Sequence, residues 1–69
     1  MVNLEVLEKE IRNYYRIFQG NIVWVARCIT TNILRHLNSE EKEEVVQYIG
    51  EWYPDLGWLL NFLEHRQAA

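Results

Sequence analysis

The 69-residue chain is poor in the residues that staple, bend or break a small protein: one cysteine, one proline and three glycines, with no surplus of positive charge and no long apolar run. Each shortage excludes something. A lone cysteine, Cys28, cannot form a disulfide within the chain, and it suits a reducing compartment. A single core of this size typically supplies only about 3–5 kcal/mol of net stability, so oligomerisation is the expected staple. No stretch approaches the roughly 20 apolar residues that span a bilayer. The opening Met1-Val2-Asn3-Leu4-Glu5 lacks the basic start of a secretory signal, which makes the cytoplasm the expected location. Ten acidic residues against seven basic give a net charge of −3, no basis for long-range attraction to nucleic acid or anionic lipid. What is abundant is apolar side chain, 49% of the residues, with three tryptophans and four tyrosines, so one folded domain over 1–69, not a disordered chain, is expected.

With so little punctuation, the helix boundaries stand out. Asn3 is placed to cap a helix over about 4–18, where Leu4, Leu7, Ile11, Tyr14, Tyr15 and Phe18 share one face at spacings of three and four. Glu5–Lys9 and Glu8–Arg12 are acid-first pairs at i,i+4 on its surface. Gly20 is suited to end that helix and Asn21 to cap the next, over about 22–37. Asn38-Ser39-Glu40-Glu41 opens a third helix, about 40–52, whose apolar stripe reads Val45, Val46, Ile49 and Trp52. Pro54 stops it, and Tyr53 or Asp55 caps a fourth, about 56–66, carrying Leu56, Leu59, Leu60 and Leu63. Connections of a few residues fold successive helices back on one another. The expectation is an all-α compact bundle of four short helices.

At roughly 100° per residue, Ile22, Val25, Ala26, Ile29, Ile33 and Leu37 cluster on one side of the second helix, with Val23, Thr30 and Leu34 extending the flank. Trp24 lies nearly opposite, in line with Cys28, Thr31 and Arg35 and beside Arg27. Three accounts are open: another helix covers Trp24; Trp24, Arg27, Cys28, Thr31 and Arg35 form a partner-binding surface, tryptophan and arginine being enriched at binding hot spots; or Trp24 is exposed without a role. The fourth helix has a second apolar face, Trp58 and Phe62 at i,i+4. A peripheral helix has one inward side, so these two are expected at a twofold dimer interface. Glu40, Glu44, Gln47 and Glu51, with Glu43 beside them, read as a solvated acidic face on the third helix.

Reactive groups do not converge in the sequence. Cys28 and His36 stand eight residues apart on one helix, about 12 Å along its axis, too far to share a proton or a metal. His65 adjoins Glu64, but neighbouring helical residues diverge by about 100°. There is no Cys-x-x-Cys, no His-Glu-x-x-His and no glycine-rich phosphate loop. No metal site, cofactor or enzymatic activity is expected.

The stretch FQGNIVWVARC resembles the opening of the helix-turn-helix in Fis-type DNA-binding domains, with Gly20-Asn21 ahead of a helix carrying Ala26-Arg27. The resemblance covers about a dozen residues and implies a DNA-binding transcriptional regulator; apart from it, Arg27 and Arg35 are the residues available to touch phosphates. The likeness departs after Ile29, where Thr30-Thr31-Asn32-Ile33 stands in place of a glycine-containing turn. The residues favour a non-enzymatic protein–protein interaction module, a regulatory adaptor or inhibitor acting as a homodimer, with DNA binding as the alternative and no membrane association.

Overall fold

The computed structural model describes residues 2–68, and the side chains of residues 2–64. It is an all-α bundle of four helices, with no strand among the described residues: α1 Leu4–Ile17, α2 Ile22–Asn32, α3 Ser39–Trp52 and α4 Pro54–Ala68. Local chemistry accounts for each start. The Asn3 side chain accepts from the backbone N–H groups of Glu5 and Val6, and the Asn21 side chain from that of Trp24. Asn38 and Glu41 form a reciprocal capping box at the head of α3. Pro54 is the first residue of α4, where its missing N–H would have had no partner. α4 therefore begins two residues before the expected Leu56, and Tyr53 alone joins it to α3. Between α1 and α2 the chain reverses through Gln19 and Gly20 at φ 51° and 79°; Gly20 takes that left-handed geometry without a Cβ penalty.

The second helix departs from expectation at its far end. It does not run to Leu37: α-helical geometry stops at Asn32, and Leu34–His36 form a short 3-10 turn after Ile33 at φ −117°. The tightening goes with the inward turn of Leu34, which is 1% exposed. The β-branched sequence Ile29-Thr30-Thr31 also gives the α-form little support there.

The core consists of Leu7 and Ile11 from α1, Val25, Ala26 and Ile29 from α2, Leu34 from the 3-10 turn, Val45 and Ile49 from α3, and Leu56 and Leu60 from α4. α1 packs on α2, α2 on α4 and α4 on α3. Hydrogen bonds complete the circuit from α3 to α1: the hydroxyls of Tyr48 and Tyr53 donate to Glu8 at 2.9 and 2.7 Å. This up-and-down order brings the end of α1, the start of α2, the end of α3 and the start of α4 to one pole of the molecule.

Trp52 does not join the stripe of α3 as expected; it is 67% exposed. Tyr48 and Tyr53 take the positions facing α1 at that level, held by Glu8, and the indole is left against the Tyr48 ring at 6.3 Å. Among the described residues no helix is long and apolar enough to cross a membrane.

Candidate functional site

The outward side of α2 begins at its cap. Asn21 fixes the first turn, and three residues on Trp24 projects from it with 51% of its surface exposed. Phe18, at the end of α1, stacks on the indole with ring centroids 6.3 Å apart and planes 20° from parallel. The Arg27 guanidinium carbon lies 5.8 Å from the centre of the same ring system, within cation–π range. Trp24 and Arg27 are thus brought together and are held by contacts within the chain, so the indole is both exposed and oriented.

The other residues of this face are placed differently. Thr31 is exposed, whereas Cys28 is half-buried. On α1, the Tyr14 hydroxyl accepts a 3.4 Å hydrogen bond from Asn32 of α2 and is raised in pKa chiefly by burial. Arg35 belongs to the 3-10 turn, so it does not continue the α2 face in register. It lines a hollow of about 270 Å³ with Thr30, Thr31, Lys42 and Glu64.

On α4, Trp58 and Phe62 are 68% and 47% exposed. Their rings stack, 5.6 Å between centroids and 14° between planes. Leu56 and Leu60 are buried on the opposite side, with Leu59 and Leu63 half-buried on the flank. Hence α4 has the two apolar faces that its sequence implied, one inside the bundle and one facing water. The flat stack is a preformed unit, because each ring limits the rotamers of the other.

No family model, curated protein or solved structure matches the chain. Chemistry and geometry alone must therefore carry a functional reading.

Ionisable groups with displaced pKa values gather at Glu8. The hydrogen bond from Tyr53 is the largest influence and lowers the Glu8 carboxyl from its usual range against the opposing effect of burial; Tyr48 and Arg12 add to the lowering. Arg12 Nε donates to the carboxylate at 3.1 Å. In turn the Tyr53 hydroxyl is raised by burial and by its bond to Glu8. This group ties α1 to α3 and to the residue that joins α3 to α4. Among the described residues, no set of three or more histidine, cysteine, aspartate or glutamate side chains is placed to hold a metal ion. His36 lines an apolar groove with Val2, Val6 and Leu37. The side chain of His65 lies outside the described residues.

The signal that sequence reasoning missed is Trp52. Its spacing from Val45 and Ile49 matched a buried stripe, and only the competing tyrosines beside it explain its release to the surface.

Proposed function

We propose that this chain is a non-enzymatic interaction module, a regulatory adaptor or inhibitor that works as a homodimer and docks the Trp24 side of α2 onto another protein. The observation that carries this reading is that all three tryptophans keep half or more of their surface in water, at 51%, 67% and 68% for Trp24, Trp52 and Trp58. Large apolar side chains left in water on a small domain favour association, since each fully buried aromatic contributes about 1.5–3 kcal/mol of transfer free energy.

The two faces suit different occupants. Trp58 and Phe62 present an uncharged stack, with Asn61 beside it and Asp55 and Glu64 as nearby charges on α4. Two copies of a chain with net charge −3 repel one another, and that repulsion is least where the facing surfaces carry little charge. The Trp24 face instead carries Arg27, with Thr31 exposed farther along α2 and Arg35 on the following turn. An exposed, pre-oriented indole with arginine beside it is the composition of a binding hot spot, and the arginines select an acidic partner surface. Cys28 serves as a half-buried filler beneath this face.

The test is affinity capture from the native cell with the tagged chain and with the Trp24→Ala/Arg27→Ala variant, alongside circular dichroism of both. The expected result is an unchanged helical spectrum and loss of a defined co-eluting protein. Retention of that protein by the variant would remove the Trp24 face from consideration.

A further inference from the structure

We propose that the pole where α1 and α3 end and α2 and α4 begin holds a binding site for an alkylammonium cation, recognised by aromatic rings and one carboxylate. A hollow of about 440 Å³ opens there, lined by Tyr15, Ile22, Trp52, Tyr53 and Asp55 among others. That volume lies within the roughly 300–1,000 Å³ typical of ligand sites. Three aromatic side chains from two helices and the linking residue meet in it. The Tyr15 and Tyr53 rings are stacked, 5.6 Å between centroids, and Trp52 is 67% exposed at the rim.

The sign of the expected ligand follows from the lining. The faces of aromatic rings carry negative potential and attract cations, most strongly at tryptophan. Asp55 is the one charged residue in the lining, and its charge is felt at the Tyr15 hydroxyl, which burial and Asp55 both raise in pKa. No lysine or arginine lines the hollow, in contrast to the one formed by Lys9, Arg12, Asn13 and Arg16 and to the one containing Arg35 and Lys42. Two helix carboxyl ends and two amino ends converge on this pole, so the helix dipoles offset each other. The Asp55 carboxylate then decides the field, and an anion is disfavoured.

The position of Trp52 completes the case. Its indole is not needed to fill the core, and the Tyr53 hydroxyl is anchored by Glu8, which fixes one ring of the lining in place before any ligand arrives. Pre-positioned rings lower the cost of binding. An alkylammonium group has two sources, a free quaternary amine and a lysine side chain of a protein, methylated or not. The recognition chemistry is the same for both. This site shares no residue with the Trp24 face, so it stands or falls separately from the docking role.

The experiment is an NMR titration of the full chain with choline and with its neutral isostere 3,3-dimethylbutan-1-ol, following the Trp52 indole N–H and the ligand methyl protons. Choline is expected to bind saturably, at roughly millimolar affinity, with its methyl resonance moved upfield by the rings, and the isostere at least about fivefold more weakly. Trp52→Ala and Asp55→Asn should each weaken choline binding several-fold while leaving the helical spectrum unchanged, Trp52 being mostly exposed. A parallel titration with N-acetyl-lysine methylamide and its trimethylated form assigns the source: tighter binding than choline points to a protein lysine, weaker binding to a free amine. Equal affinity for choline and the neutral isostere, absence of saturation with every cation, or undiminished choline binding by folded Trp52→Ala would overturn the proposal.

Discussion

Gly57 of α4 lies directly on the backbone of Gly50 of α3: a Cβ built on Gly57 would stand 2.5 Å from the Gly50 Cα and 2.9 Å from its nitrogen. The two helices meet backbone to backbone, and no side chain at position 57 fits between them. A Cβ on Gly50 points elsewhere and meets nothing within 4 Å. The chain therefore has two helical glycines with opposite roles, one needed for the crossing and one that only weakens its helix.

Alanine scanning of this pair should separate them. Gly57→Ala is expected to push α3 from α4 and cost about 1–3 kcal/mol, as overpacking does. Gly50→Ala should raise stability by about 0.5–1 kcal/mol through helix propensity. Urea unfolding followed by circular dichroism measures both. A Gly57→Ala midpoint equal to the parent would contradict the close crossing.

Glu8 should govern how the bundle responds to acid. Folding lowers its pKa, so the stabilisation it provides is fully present above the unfolded carboxylate value and is lost as pH falls through the lower folded value. Glu8→Gln keeps the shape but not the charge that Tyr53, Tyr48 and Arg12 meet, and should cost about 1–2 kcal/mol near neutral pH. Between the two carboxyl values the variant should lose less stability than the parent as acid is added. Thermal melts across that window provide the comparison; parallel curves would show that Glu8 is uncoupled from folding.

The Trp58–Phe62 stack gives a prediction in mass. Light scattering of the parent at micromolar concentration should report twice the chain mass, and Trp58→Glu/Phe62→Glu should report one chain with its helical content intact. Both side chains are largely outside the core, so their replacement by acids leaves the buried contacts of Leu56 and Leu60 in place. A monomeric parent would end the dimer proposal.

Nucleic-acid binding is tested with mixed-sequence duplex at low salt, where electrostatic attraction is strongest. No gel shift is expected from a chain with three more acids than bases, even with Arg27 and Arg35 exposed. A shift that weakens steeply with added salt would revive the helix-turn-helix alternative.

The sequence by itself determined the number of helices, the caps of the first three and most of the core. Asn3, Asn21 and Asn38 act within one helical turn, and Leu7, Ile11, Val25, Ile29, Val45, Ile49, Leu56 and Leu60 follow from periodicity, because both effects are local to a single helix. The two-faced character of α4 was legible for the same reason. Periodicity gives the direction of a side chain around its own axis, but not which neighbour occupies that direction. That was left to tertiary structure. It decided that the second helix gives way to a 3-10 turn at Leu34, that Tyr48 and Tyr53 reach across to Glu8, and that Trp52 is displaced into water beside them. It also decided that Gly57 is a point of contact and Gly50 is not, since helix crossings depend on how residues distant in sequence share one volume.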